Sequence, residues 1–432
     1  MRYLLLASLL ALPLAAQDTP QAFTGGTIIP ISGSPIMNGV LVVHQGRITA
    51  VGAVGQVPIP AGAQVHDVTG KFVMPGLVDT HSHIGGGDGG DQSGPIHPAV
   101  RILDAIDARH DRIRTARAGG ITTANIMPGS GLLMSGQTAY VKLRDGNTIY
   151  DLLYCRDVQT EICGGMKMAN GTNSIGASPR PGTRARSAML VRARFVAAQE
   201  YQRRLAEWRA DTTKARPARD LELEALIEVL DGRRTVHFHT HRHDDILTAL
   251  RLAQEFGFRI VLQHVSEAWK VANEIRAANA PASIIVIDAP GGKLEAMDLL
   301  PDNGRVLEEA GVQVAFHTDD GITDSRFFLR SAALGVRFGM SREGALRAMT
   351  LAPAHMLGLG DRIGSLEVGK DADFIILSAD PLSIYARVEQ TWIDGLKLFD
   401  LSNPTHRAYA EGGYNVTRDL ATHVHAGMEG HH

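Results

Sequence analysis

The 432-residue chain is long enough for one large domain and a smaller one, and its 44% hydrophobic and 21% charged residues are the balance of a globular protein. That balance excludes a disordered or fibrous chain. A formal net charge of -3 gives no electrostatic case for nucleic acid as a partner.

The first predicted element is a secretory signal peptide over residues 1–17, MRYLLLASLLALPLAAQ. Arg2 supplies the positive start, residues 4–14 the apolar core, and Ala15-Ala16 a small-residue cleavage site. The apolar run is shorter than the roughly 20 residues of a membrane-spanning helix, so no stable membrane insertion is expected. The expected location is periplasmic or secreted. Cys155 and Cys163 are the two cysteines. An exported protein could pair them, although one pair is no disulfide scaffold.

Residues 18–75 read as part of a small β unit, with Val-, Ile- and Thr-rich runs at 26–31, 39–44, 48–51, 65–68 and 71–73 separated by glycine turns. From 76 to 365 the pattern becomes strand, loop, helix. Strands are expected at 120–123, 235–241, 259–264 and 313–317, and helices at 105–118, 244–256, 267–280 and 342–352. The alternation predicts an α/β fold with a parallel sheet, and the span suits a (β/α)8 TIM barrel of roughly 250 residues carrying an insertion. The insertion is placed at 187–231, where Val191, Phe195, Ala198, Leu205 and Trp208 share one helical face. It reads either as a surface helix or as a lid over the barrel. The β texture returns over 366–402, in runs at 372–377 and 388–393. Residues 403–432, with His423, His425, His431 and His432, read as a mobile tail.

Metal-ligand residue types recur where these strands end. In Asp79-Thr80-His81-Ser82-His83 the two imidazoles alternate on a strand and so face the same side. Val236-His237-Phe238-His239-Thr240-His241 repeats the pattern. Residues 260–264 end in His264, and 314–320 end in His317-Thr318-Asp319-Asp320. A barrel gathers strand ends around one axis, so histidines and an acid from several strands converge on one metal site.

PGLVDTHSH, TVHFHTHR, the QH strand end and HTDD resemble the ligand series of the amidohydrolase superfamily. The flanks NGVLVVHQGRITAVG and RIGSLEVGKDADFIILSADPLS, with VEQTWIDGLKLF, are similar to its paired β flanks. GGITTANIMPGSG, SGQTAYVKLRDG and GGMKMANGTN resemble its imidazolonepropionase-like and dipeptidase-like branch. The resemblance implies a composite β-sandwich built from both chain ends beside the barrel. It also implies one or two divalent metals per chain, zinc first with manganese, iron or cobalt as alternatives. His81 and His83 would hold the first metal and His239 and His264 a second, with Asp319 as ligand and proton shuttle. His241 shares the face of His239 and either can be the ligand; the other would face substrate. Arg242 would meet a substrate carboxylate or form an exposed ion pair. A carboxylated Lys167 would bridge the metals, with Lys142, Glu161 and Cys163 as rivals.

The implied function is hydrolysis of a carbon–nitrogen bond by metal-activated hydroxide, on a small-molecule substrate such as an amide, dipeptide, N-acyl amino acid or cyclic amide. A homo-oligomer is compatible with the sequence. Two other readings stand beside it: a deaminase on the same scaffold, and a non-catalytic binding protein. A deaminase would carry glutamate three residues after His239, where this chain has Arg242.

Overall fold

A computed structural model describes residues 19–87, 89–286 and 293–412. The expected signal peptide and the tail histidines at 423–432 lie outside the described residues. Among the described residues no helix is long and apolar enough to cross a membrane.

The chain begins with β1 (Gln21–Thr24), β2 (Thr27–Ile28), β3 (Gly39–His44), β4 (Arg47–Ala53), β5 (Gln64–Asp67) and β6 (Phe72–Pro75). Strand β1 precedes the first run expected from the sequence. Next come β7 (Leu77–Ser82), α1 (Asp111–Ala118), β8 (Ile121–Ile126), β9 (Met134–Gln137), β10 (Ala139–Lys142), α2 (Ile149–Leu152) and β11 (Met166–Ala169). The middle holds α3 (Arg184–Ala210), α4 (Leu221–Leu230), β12 (Val236–Thr240), α5 (His243–Phe256), β13 (Ile260–His264), α6 (Ala272–Ala277) and β14 (Ala282–Ile284). It continues through α7 (Asn303–Glu309), β15 (Val314–Phe316), α8 (Arg330–Arg337), α9 (Arg342–Ala348) and α10 (Leu351–Met356). The chain closes with β16 (Phe374–Leu377), β17 (Val388–Ile393), β18 (Leu396–Asp400) and α11 (Pro404–Glu411).

This is an α/β fold. Strands β11, β12, β13, β14 and β15 pair side by side and parallel, and β7 pairs parallel with β8. Helix α5 shows why the crossovers hold. It buries Ile246, Ala249, Leu250, Leu252, Ala253 and Phe256, carries Asp244 and Asp245 in its first turn, and stops at Gly257 with φ +73°. Both chain ends meet in one sheet of order β18-β17-β16-β6-β2, and a second sheet runs β4-β3-β1-β5. Between them Phe23 packs edge-on to Phe374 and Trp392, each at 4.9 Å. Burying each such side chain stabilises by about 1.5–3 kcal/mol.

Several expected helices are shorter. The helix expected from 105 starts at Asp111, where the His110 ring accepts from Arg112 N. The helix expected over 267–280 is interrupted because buried, β-branched Val271 leaves the helical region at φ -136°. The one expected over 342–352 breaks at Thr350, whose hydroxyl donates to Leu346 O (2.7 Å), and Pro353 then lies in the first turn of α10. The expected tail begins with α11, capped by Asn403 and docked through Tyr409 beside α1. Helix α3 buries Val191, Phe195 and Ala198 as expected, with Tyr201 on the same face, and stacks Phe195 on Phe256 and Phe258. It is thus a wall packed on α5. Cys155 and Cys163 form a disulfide.

Candidate metal centre

The site lies at the C-terminal ends of the parallel strands. His81 is wholly buried near the end of β7, and His83 follows just past it. Asp319, three residues beyond β15, has φ +48°, a left-handed conformation that aspartate tolerates better than most residues. Its N–H donates to His81 O (2.9 Å), which turns the side chain back toward β7. Asp319 Oδ1 lies 3.0 Å from His83 Nε2 and 3.4 Å from His81 Nε2. His83 Nδ1 donates to Met127 O (2.9 Å), which fixes the ring with Nε2 facing Asp319.

Lys167 stands in register with His237, one layer below His239, and its long side chain reaches His81 Nε2 at 3.0 Å. Burial, partly offset by Asp319, lowers its ammonium from 10.5 to about 7. Burial also holds His81, His239 and His264 well below the usual histidine range, and His241 and His317 at about 3. All five are therefore neutral, the form that binds metal. Burial alone would raise the Asp319 carboxyl, but His81 and His83 outweigh it and hold it well below the usual carboxylate range.

The His239 ring lies 4.4 Å from that of His264, and His81 lies 4.6 Å from His264, centroid to centroid. His264 Nδ1 is 3.1 Å from His317 Nε2, and His317 Nδ1 is 2.8 Å from Ser283 Oγ. His81 Nδ1, both ring nitrogens of His239, and Nε2 of His241 and His264 have no hydrogen-bond partner among the described residues. A buried polar atom left without a partner costs about 1–3 kcal/mol. Neutral imidazoles with unmet lone pairs around a carboxylate are a donor set that fits a divalent ion.

The structure brings together His81, His83, Lys167, His239, His241, His264 and Asp319. It does not bring in Lys142, the rival bridge. That ammonium contacts Asp371 (2.6 Å), Asp373 (3.0 Å) and Asp394, carboxylates supplied by the C-terminal flank. Burial opposes its charge, but Asp373, Tyr154, Asp394 and Asp371 raise its pKa, so it stays a cation. Glu161 is exposed and accepts from Arg156 N, and Cys163 is in the disulfide, so neither is placed to bridge. Arg242 is turned into a two-pronged ion pair with Asp244 rather than toward a ligand. His237 is satisfied by Tyr140 (2.9 Å) and Gln263 (3.1 Å), below the ligand layer as expected.

Sequence reasoning missed His317 as a neighbour of His264, and it missed Glu295, which lies beside His239 and His241. The apolar run ahead of Glu295, which contains β14, was the available signal.

A family model described as the amidohydrolase family matches residues 295–396. Over 405 residues the chain is 30% identical to amidohydrolase tasK of Hapsidospora irregularis, covering 86% of this chain and 41% of that protein. The chain thus spans less than half of that relative's length. It is 26% identical over 411 residues to an imidazolonepropionase of Rhizobium rhizogenes, covering 83% of this chain and 91% of the other. The solved structure of an amidohydrolase from Thermotoga maritima MSB8 matches with a TM-score of 0.79 at 32% identity, over 88% of this chain and 99% of that one. Alignment at that identity across nearly the whole of a relative shows that the chain belongs to the amidohydrolase superfamily.

Proposed function

We propose that this chain hydrolyses a carbon–nitrogen bond of a small molecule at one or two divalent ions. His81, His83 and Asp319 would hold one ion and His239 and His264 the other, with Lys167, once carboxylated, as a further ligand. The observation that carries the reading is Asp319, 3.0 Å from His83 and 3.4 Å from His81, beside a buried Lys167. A bound divalent ion supplies Lewis acidity, polarising a carbonyl and bringing the pKa of water toward about 7. Asp319 accepts the proton released on attack and returns it to the leaving nitrogen, so one carboxylate serves both steps. The neutral histidines keep their lone pairs for the ion at working pH.

The scaffold in this reading is a closed (β/α)8 barrel beside a β-sandwich. Supporting closure, Thr318 N donates to Asp79 Oδ1 (3.1 Å) between β15 and β7. On the opposite side Tyr140 N donates to Cys163 O (2.8 Å), joining β10 to the segment entering β11. Zinc is the ion we favour, because imidazoles dominate the donor set. Amides, dipeptides, N-acyl amino acids and cyclic amides share the required carbonyl–nitrogen centre, and the imidazolonepropionase relative favours the cyclic class. Action in the periplasm or outside the cell is supported by the Cys155–Cys163 disulfide.

The test is metal analysis coupled to a panel of dipeptides, N-acyl amino acids and lactams. Chelation should abolish cleavage and added zinc or manganese restore it. Cleavage that persists in metal-free protein, or ligand binding without turnover across the panel, would overturn the reading.

A further inference from the structure

His239, His241 and Glu295 make a second donor group beside the one centred on Asp319. One donor atom from each lies within 4.8 Å of the other two, and all three residues are buried. Glu295 comes from the short turn Leu294–Ala296 in the connection between β14 and α7 and is 4% exposed. Its Oε2 accepts from Thr172 N (2.7 Å), while Oε1 has no partner among the described residues.

The loop after β11 is shaped around this carboxylate. Gly171 has φ +71°, and a Cβ there would stand 2.5 Å from Glu295 Oε2. Any side chain at 171 would therefore displace the carboxylate as well as strain the backbone. On the other side His241 Nδ1 is 2.7 Å from Ser266 Oγ, which holds the ring while Nε2 stays unpartnered. His239 has no hydrogen bond at either nitrogen among the described residues. A buried carboxylate oxygen and one lone-pair nitrogen from each of two neutral imidazoles thus crowd one small volume. Leaving such a set unsatisfied is costly, and the cost is greatest for the carboxylate.

We propose that His239, His241 and Glu295 together hold one divalent ion, so that the ion at His239 is completed from the β14 side by a carboxylate. This rests on the reading of the site as a metal centre and deepens it. Two imidazoles and a glutamate are a donor set suited to zinc, and His264, its ring 4.4 Å from that of His239, is at hand for the remaining position. Ligands at about 2.1 Å on a tetrahedral ion lie about 3.4 Å apart, so small side-chain rotations bring the three donors into range.

The test is zinc titration of the metal-stripped full-length protein, without bicarbonate, read by calorimetry and by elemental analysis after dialysis. Wild type should take up two equivalents. Glu295→Gln should weaken one of them at least tenfold and leave the other, whereas His83→Asn should weaken the one that Glu295→Gln spares. His241→Asn should repeat the Glu295→Gln result, which covers the case of one variant folding poorly. The melting temperature of stripped Glu295→Gln should equal or exceed that of stripped wild type, because the buried, unpartnered Oε1 of a charged group is gone. Wild-type affinity and stoichiometry in both Glu295→Gln and His241→Asn would overturn the proposal and leave the hydrolase reading intact. A wild-type protein that takes up no ion would instead overturn that reading, and this proposal with it.

Discussion

The Lys167 ammonium lies 3.0 Å from His81 Nε2, and both side chains are wholly buried. Two cations cannot share that volume, so at least one partner is neutral. With its pKa lowered to about 7, Lys167 exists in good part as the free amine near neutral pH. That amine is the nucleophile needed to add carbon dioxide: a nitrogen–carbon bond forms as one carbon–oxygen π bond breaks, one proton leaves the nitrogen, and the neutral amine becomes an anion. Protein equilibrated with isotope-labelled bicarbonate should show a carbamate carbon signal by NMR, absent from Lys167→Met. The same signal in both proteins would rule out Lys167 as its source.

Asp319 is expected to carry the proton. Asp319→Asn keeps the shape of the side chain but cannot accept a proton, and kcat should fall by about 100- to 10,000-fold. Measured at saturating zinc, an unchanged kcat would rule out the assigned role.

Lys142 is expected to matter for stability and not for metal. Lys142→Met leaves buried Asp373 without its cation, while Asp371 keeps Arg47 and Arg362 and Asp394 keeps Arg144, and should cost about 3–5 kcal/mol. Denaturant melts should show that loss, while zinc stoichiometry stays at the wild-type value. A loss of bound zinc in folded protein would return Lys142 to the list of ligands.

Glu267 provides a pH signature through a carboxylate whose side chain meets His243 and Lys270. Burial alone would raise its carboxyl, but hydrogen bonds from the His243 backbone and ring and from Lys270 bring it from 4.5 to about 2. The folded value lies below the unfolded one, so the stabilisation is complete above about pH 4.5 and is lost as pH falls toward about 2. Wild type should exceed Glu267→Gln by about 1–3 kcal/mol at neutral pH, with the difference shrinking through that acid range. Melts from neutral to acid pH check this, and a gap that stays constant would contradict it.

Much of the site was legible because strand alternation and strand ends are local properties. His81 lies near the end of β7 and His83 two residues on, just past it, and His264 and Asp319 sit where apolar runs stop. Lys167 and Lys142 show where that legibility ends. Both sit beside apolar residues on short strands, yet one meets His81 and the other meets aspartates from the far end of the chain. Only the tertiary pairing separates them. Glu295 was hidden for a related reason: it reaches the site from a turn, which imposes no period on the sequence. The helix breaks at Val271 and Thr350 were likewise decided by burial and by a side-chain hydrogen bond.

The pairing of β6 with β16 has a consequence for how the chain is made. Phe72 to Pro75 lie opposite Phe374 to Leu377, so one edge of β6 stays open until the whole stretch from β7 to β16 has been synthesised. Contacts this distant along the chain form late and slow folding. Meanwhile an unpaired strand edge is a template for mispairing with other chains. The nascent protein is therefore most vulnerable to aggregation over its N-terminal sheet, and release of the last strands is the event that ends the exposure.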